Sequence, residues 1–147
     1  MDIRTKILTD QDEIAEVIGI CAEAFHDQRC NDPAVIQEFS EKFSVRACFV
    51  AACTEDEVVG FAAFYCNDTV NFTAFISMIV VRSIYHLRGG GTKILGKVKK
   101  ICRDNGMKRI RLEVADDNLQ ALSFYRRRGF VLEGASGRGS SFYVLNL

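Results

Sequence analysis

The chain has 147 residues, of which 48% are hydrophobic and one is proline. This length and composition suffice for one sizeable core, so we expect a single globular domain over residues 1–147. Residues 1–13 contain neither a basic start nor an apolar segment, and no apolar run is long enough to cross a bilayer. We therefore expect a soluble cytoplasmic protein without a membrane partner.

The 19 Lys and Arg residues balance the 19 Asp and Glu residues, but the charges are segregated along the chain. Residues 1–70 carry 5 Lys and Arg against 14 Asp and Glu, whereas residues 71–147 carry 14 against 5. The segregation indicates an acidic surface for a cationic partner beside a basic surface for an anionic one, or two ordinary solvated faces. No aromatic platform accompanies the basic residues, so we expect no nucleic-acid partner.

The six cysteines form no C-x-x-C pair, and most lie in apolar runs. They predict small buried side chains in a reducing compartment. Cys48 and Cys53 lie an odd number of positions apart on one predicted strand, so their side chains point to opposite faces. With only two histidines in the chain, we expect no metal site.

The N-terminal half predicts a strand, two helices and a hairpin. Residues 3–9 alternate as a strand does, and residues 10–25 repeat apolar side chains at helical spacing. A second helix begins at Asp32, a typical N-cap residue, with Pro33 in its first position. Residues 47–54 and 57–66 flank an acidic turn, which predicts an antiparallel hairpin.

The C-terminal half predicts strands that alternate with helices. A strand over residues 72–81 is followed by a glycine run and a helix that ends just before Gly106. The remaining predicted elements are a strand at 108–114, a helix at 117–128 and strands at 129–134 and 140–147. This order fits a single-domain α/β fold with a mixed, mostly antiparallel sheet and helices on both faces.

Three consecutive glycines, Gly89 to Gly91, lie between a predicted strand and a predicted helix. Ordered glycine costs backbone entropy, so the run suggests close approach to the backbone, as in an anion site for a diphosphate, or else a flexible turn. A P-loop does not fit, because Val98 replaces the magnesium-binding hydroxyl, and a dinucleotide fingerprint would need a glycine at Ile94. A serine-hydrolase elbow fails as well, because Arg138 stands in place of its second glycine.

Two segments of the chain resemble known motifs. The stretch "VRSIYHLRGGGTKIL" resembles the pyrophosphate motif [QR]-x-x-G-x-[GA], with His86 in the first position and Gly89 and Gly91 as its glycines. The stretch "LEVADDNLQALSFYRRRGF" resembles a second signature and matches it at Leu112, Val114, Asn118, Ala121, Phe124, Tyr125, Gly129 and Phe130. Both motifs are signatures of the GCN5-related N-acetyltransferase superfamily, which the chain therefore resembles. The resemblance implies a sheet whose two central parallel strands splay apart around an acyl-CoA, usually acetyl-CoA.

The resemblance also implies which residues contact the acyl-CoA. Main-chain groups of Ile79, Val80 and Val81 would pair with the pantetheine arm. Amides of the glycine-rich loop would hold the diphosphate; the loop comprises Leu87, Arg88, Gly89, Gly90, Gly91 and Thr92. His86 departs from the usual Arg or Gln, which matters little for a motif that acts through main-chain N–H groups.

Two further features each leave two interpretations open. Asn118 is implied as a contact to the CoA arm, and it is also placed for helix capping with Asp117 and Gln120. A basic stripe lies near the expected position of the adenosine 3'-phosphate, or forms a solvated helix face; it consists of Lys93, Lys97 and Lys100.

Amide formation from a thioester requires a base for the amine and an acid for the leaving thiolate. By resemblance, Tyr125 is the acid that protonates the sulfur of CoA; the alternative is a core tyrosine. Glu113 is the candidate base, on the strand face that it shares with Arg111; the alternative is a structural carboxylate paired with Arg111. Ser77, on the splayed strand, offers another route by which the amine could lose its proton, through a water relay.

The resemblance implies an N-acyltransferase that moves the acetyl group of acetyl-CoA to a primary amine by direct attack in a ternary complex. We expect a monomer or homodimer that needs no metal. A non-catalytic acyl-CoA sensor of the same fold is the alternative, and a cleft blocked by residues 25–45 would favour it. A third possibility is a binding protein for another nucleotide. The acidic N-terminal half favours a cationic acceptor.

Overall fold

The computed structural model describes residues 2–147, and its elements follow the predicted order. The four helices are α1 (Gln11–Cys21), α2 (Pro33–Arg46), α3 (Gly90–Asp104) and α4 (Leu119–Arg127). The seven strands are β1 (Arg4–Leu8), β2 (Cys48–Cys53), β3 (Val58–Tyr65), β4 (Thr73–Val81), β5 (Arg109–Ala115), β6 (Val131–Ala135) and β7 (Ser140–Asn146). Short 3-10 turns precede α2 and α3.

Local sequence sets where the helices begin. Asp32 caps α2 by accepting a hydrogen bond from the amide of Ala34, and Pro33 occupies the first turn, as predicted. Asp10 caps α1 in the same way. By contrast, α3 has no side-chain cap and follows Gly89, whose φ of 85° lies in the left-handed region. The first turn of α3 is therefore left with bare main-chain amides.

The strands form one mixed sheet in the order β1-β2-β3-β4-β5-β7-β6. Neighbouring strands are antiparallel except for the central pair, β4 and β5. The helices cover both faces, as predicted: α1 and α2 share one core with the sheet, and α3 and α4 share the other. Within residues 2–147, each helix is too short or too polar to span a lipid bilayer.

The two central strands pair over only part of their length. Hydrogen-bonded register joins Thr73–Ile76 to residues 109–112 and stops there. At the same point β4 bulges against β3, because Ala63 faces Met78 while Phe64 faces Ile76, which leaves Ser77 unmatched. Beyond the bulge β4 and β5 diverge, so the splayed parallel pair is confirmed.

Candidate functional site

A cavity of about 550 Å³ occupies the place where β4 and β5 diverge. Its walls are the second half of β4, the loop that leads into α3, the end of β5, and α4. A fifth wall comes from the segment that follows α1, namely Ala24, Phe25, His26, Asp27 and Cys30. The sequence motifs and a segment that carries no motif therefore meet in one cavity.

The loop into α3 presents free main-chain amides. The first helical hydrogen bond runs from the N–H of Lys93 to the carbonyl of Gly89, at 3.0 Å. The amides of Gly90, Gly91 and Thr92 lie ahead of this bond and have no helical acceptor. All three residues line the cavity, so their N–H groups and the positive end of the α3 dipole form an anion site.

Packing also requires two of the glycines. A Cβ atom on Gly91 would lie 2.6 Å from Cε1 of Phe124, on α4, and one on Gly90 would lie 2.8 Å from Cγ1 of Val59. At Gly91, the group that approaches the backbone is thus an aromatic ring of the protein itself. Gly89 has open space around it, and its positive φ is what favours glycine.

Arg88 is the exception among the predicted loop residues. It is exposed and does not line the cavity, and its amide already donates to the carbonyl of Tyr85 at 3.2 Å. Its neighbour Leu87 has a φ of 63° and a side chain that is 98% exposed. The loop therefore turns at Leu87, and Arg88 is directed away from the cavity.

His86 uses both ring nitrogens within the protein. Nε2 lies 2.9 Å from the carbonyl of Val81, and Nδ1 lies 3.0 Å from the side-chain nitrogen of Gln120. The carbonyl can only accept and the amide nitrogen can only donate, so Nε2 donates to Val81 and Nδ1 accepts from Gln120. His86 thus joins the end of β4 to the start of α4, and its hydrogen bond uses the carbonyl oxygen of Val81.

Tyr125 lies on α4 with only 8% of its surface exposed, and it lines the cavity. Its ring packs edge-on against Phe124 and Phe130, with centroids 5.3 Å apart in both cases. Burial raises the pKa of the phenol well above its ordinary value. Tyr125 is therefore held as a neutral proton donor.

Asn118, and not the predicted Asp117–Gln120 box, caps α4. Its Oδ1 accepts a hydrogen bond from the amide of Ala121, at 3.3 Å. Asp117 instead contacts His26, and Gln120 contacts His86. Both side chains of the expected box are thus used for long-range contacts, and Asn118 lines the cavity as well.

Glu113 lines the cavity from β5, and both of its carboxylate oxygens have partners. Oε1 lies 2.8 Å from the guanidinium of Arg138, and Oε2 accepts a hydrogen bond from Ser140. The Ser140 hydrogen bond and the Arg138 guanidinium lower the pKa of Glu113. The alternative interpretation, a carboxylate paired with Arg111, is wrong in its partner, since Arg111 contacts Glu133 at 2.6 Å.

His26 and Arg128 line the cavity, and neither was predicted from the sequence to do so. His26 and Asp117, 91 positions apart, meet at 3.0 Å and tie the segment after α1 to the β5–α4 loop. Arg128 stacks on Phe124 at 3.8 Å and donates to the hydroxyl of Thr92. The sequence offers no signal for the His26 contact, and the RRR run suggested only helix-end cations for Arg128.

The basic stripe on α3 borders a shallow groove beside β1. Lys93 and Lys97 line this groove together with Gly89 and Thr92, so the stripe begins at the edge of the cavity. Lys100 also lines the groove, but it contacts Asp104 at 2.8 Å. The stripe is thus continuous with the anion site, and part of its charge is neutralised.

Comparison with known proteins identifies the family. A sequence model of the acetyltransferase (GNAT) family matches residues 12–130, more than half of the chain. The chain belongs to the GNAT acetyltransferase family. A curated relative, the uncharacterized protein YxbD of Bacillus subtilis, is 38% identical over 56 residues, which are 38% of this chain and 35% of that protein. The match thus spans about a third of the length of YxbD.

Solved structures share the GNAT fold at low sequence identity. An acetyltransferase from Thermus thermophilus has a TM-score of 0.85 at 17% identity, over 100% of this chain and 98% of that chain. The PaiA N-acetyltransferase of Thermoplasma acidophilum, in complex with coenzyme A, has a TM-score of 0.76 at 17% identity, over the whole of both chains. These similarities confirm the GNAT architecture of the sheet and helices.

Proposed function

We propose that this protein is an acyl-CoA-dependent N-acyltransferase that transfers the acetyl group of acetyl-CoA to a primary amine. One observation carries the proposal: the unpaired edges of the diverging strands and the free amides of α3 line the same cavity as Tyr125. A thioester on a long arm that ends in a diphosphate fits this combination, and family membership supports it.

The cavity offers a separate group for each part of acetyl-CoA. Amides at the start of α3, from Gly90, Gly91 and Thr92, would hold the diphosphate. The main chain of Ile79 and Val80 would pair with the amides of the pantetheine arm, because β5 no longer covers that edge of β4. The coenzyme A bound to the related PaiA enzyme supports this class of ligand.

Transfer requires the amine nitrogen to attack the thioester carbonyl and the sulfur to leave. In the proposed reaction the C–N bond forms, the C–S bond breaks, and Tyr125 donates its phenolic proton to the departing thiolate. The raised pKa of Tyr125 keeps the phenol protonated at neutral pH, although burial also makes it a weaker acid toward the thiolate. Tyr125 then recovers a proton from solvent.

Glu113 is the proposed acceptor of the proton that the amine loses. Its lowered pKa keeps the carboxylate ionised at neutral pH, although Arg138 and Ser140 also make it a weaker base. The hydroxyl of Ser140 can relay a proton to Glu113, because the two groups are already hydrogen-bonded. Ser77, exposed at the bulge and lining the same cavity, provides the alternative water-relay route.

Catalysis is favoured over sensing because the cavity stays accessible. Helix α2 contributes no side chain to its lining, and the segment after α1 forms one wall without filling the space. A cleft blocked by residues 25–45 would have favoured a sensor. Room for an acceptor beside the thioester is what a transferase needs and a sensor does not.

A panel of amines incubated with acetyl-CoA tests the proposal. Amino sugars, polyamines, amino acids and peptides are screened by mass spectrometry for the acetylated product, since the six free cysteines would obscure a thiol-reagent assay. Calorimetry on the same preparation compares coenzyme A with ATP. We expect micromolar binding of coenzyme A, weaker binding of ATP and at least one acetylated amine. Tighter binding of ATP than of coenzyme A would contradict the proposal.

A further inference from the structure

Three of the six cysteines converge at the end of the molecule that lies away from the cavity. Cys48 begins β2, Cys66 directly follows β3, and Cys102 lies in the last turn of α3. The sulfurs of Cys66 and Cys102 are 3.3 Å apart, and Cys48 lies close enough for Cys66 to raise the pKa of its thiol. The sequence predicted small buried side chains in a reducing compartment and gave no signal for this thiol cluster of Cys48, Cys66 and Cys102.

The cluster is separated from the glycine-rich loop by the length of α3. Twelve positions separate Gly90, at the start of the helix, from Cys102, which corresponds to about 18 Å at 1.5 Å per residue. None of the three cysteines lines the cavity. An activity of the cluster would therefore be independent of the proposed acetyl transfer, and the inference below does not rest on that function.

We propose that the thiol cluster is an oxidation site, in which Cys66 forms a disulfide with Cys102 and Cys48 is the alternative partner of Cys66. A disulfide needs its sulfurs about 2.05 Å apart, so the observed separation must close by only about 1.3 Å. Cys66 and Cys48 are partly exposed, whereas Cys102 is fully buried. Cys66 is thus a partly exposed residue whose sulfur contacts that of Cys102 and lies near Cys48.

The oxidant is a small-molecule disulfide such as glutathione disulfide. The thiolate of Cys66 attacks one sulfur of glutathione disulfide, which forms a mixed disulfide and releases one glutathione. The thiolate of Cys102 then attacks the Cys66 sulfur, forms the internal disulfide and releases the second glutathione. The protein loses two protons and two electrons, and glutathione disulfide gains both as two thiols.

The surroundings of the cluster favour a disulfide over a metal site. The hydrogen bond with Cys102 and burial raise the pKa of Cys66 to about 12, and the neighbouring thiol of Cys66 and burial raise the pKa of Cys48. Thiolate ligands for a metal are therefore disfavoured, whereas a disulfide carries no charge. Among residues 2–147, no three His, Cys, Asp or Glu side chains are arranged to hold a metal ion.

The bond would link the end of β3 to the last turn of α3 across 36 positions. Such a cross-link restricts the unfolded chain, so it raises the melting temperature. It closes at the far end of α3 from the anion site, so acetyl-CoA affinity should stay the same. High pKa values also mean few thiolates at neutral pH, so the reaction should be slow and is best followed at about pH 8.5.

Exposure of the intact protein to glutathione disulfide, followed by intact-mass and peptide mapping, tests the proposal. We expect the wild type to lose about 2 Da and to yield one disulfide-linked Cys66–Cys102 peptide pair. Its melting temperature should rise, and its coenzyme A binding should stay unchanged. Cys66→Ser, at a partly exposed position, should lose no mass, while the control Cys53→Ser, on the same strand as Cys48, should behave as the wild type.

A second variant keeps the test independent of any folding defect in the first. In Cys102→Ala we expect a Cys48–Cys66 pair in place of the Cys66–Cys102 pair. The proposal is overturned if the folded wild type carries only glutathione adducts. A mapped bond to a cysteine outside the cluster, or the same mass loss in folded Cys66→Ser, would overturn it as well.

Discussion

Glu113 shows how single contacts decide the chemistry available at the site. Sequence analysis placed Arg111 beside it on the same strand face, but Arg111 reaches Glu133 on β6 instead. The partner of Glu113 is Arg138, from the β6–β7 connection, 25 positions along the chain. A strand pattern gives the face of a side chain, whereas the partner depends on which strands become neighbours. The strand face on which Glu113 lies was thus predictable, but the pKa of its carboxyl group was not.

The role of Glu113 is tested by the acid limb of the pH–rate profile. Activity that needs the ionised carboxylate falls as pH drops through its pKa, which Arg138 and Ser140 hold below the ordinary value. Arg138→Gln removes the cation and should shift the acid limb of kcat/KM to higher pH. Arg103→Gln, which removes an exposed cation in the last turn of α3 outside the cavity, is the matched control and should leave the limb in place. A limb that stays in place in both folded Arg138→Gln and folded Ser140→Ala would exclude Glu113 as the base, because these two residues lower its pKa.

The starts and ends of the helices were predicted well from the sequence, because they depend on residues that are neighbours along the chain. Asp32 and Pro33 mark the start of α2 as predicted, and Gly106 follows the end of α3 with a positive φ. Contacts between elements were not predictable, because they depend on the order of strands in the sheet. His26 meets Asp117 only because the segment after α1 crosses to the end of β5, and no periodicity in the sequence signals that crossing.

The packing of α3 on α4 is tested at Gly91. Gly91→Ala places a methyl group against the ring of Phe124, so we expect a loss of about 1–3 kcal/mol in the free energy of unfolding from overpacking. The smaller side chain in Phe124→Ala should restore much of this loss in the double variant. Urea denaturation of the two single variants and the double variant gives the coupling energy between the positions.

Gly96 provides the control for this pair. It lies in the same helix with open space around it, so Gly96→Ala should be neutral or stabilising. Strictly additive effects of Gly91→Ala and Phe124→Ala would mean that the ring is not what requires a glycine. Weaker coenzyme A binding in the double variant than in Phe124→Ala alone would show that Gly91 also serves the ligand, because Phe124 lines the same cavity.

In the folded molecule, part of the basic charge of the C-terminal half is concentrated in one place, beside the anion site. The basic stripe borders the anion site through Lys93 and Lys97, while Lys100 is paired with Asp104. The sequence predicted the stripe but not this pairing, which depends on side-chain conformations. A basic border should steer a polyanionic cosubstrate toward the amides of α3.

Steering is tested by stopped-flow association of coenzyme A at increasing salt. The association rate should fall severalfold between low and high ionic strength, because salt screens the long-range attraction. Lys93→Glu combined with Lys97→Glu should flatten that dependence. Lys42→Glu, on α2 at the other face of the sheet, is the control for a charge reversal elsewhere. A double variant that keeps the wild-type salt dependence would leave the stripe as a solvated face.

Substitution of Tyr125 tests the proposed acetyl transfer most directly, since the proposed role of its hydroxyl distinguishes a transferase from a binding protein. Tyr125→Phe keeps the ring and its packing and removes only the proton that the thiolate needs. Tyr143→Phe is the matched control, because Tyr143 is also buried but lies outside the cavity. Steady-state kinetics and acetyl-CoA calorimetry are run on both variants. We expect Tyr125→Phe to lose about 10²- to 10⁴-fold in kcat with nearly unchanged acetyl-CoA affinity. Full turnover in folded Tyr125→Phe would contradict the mechanism.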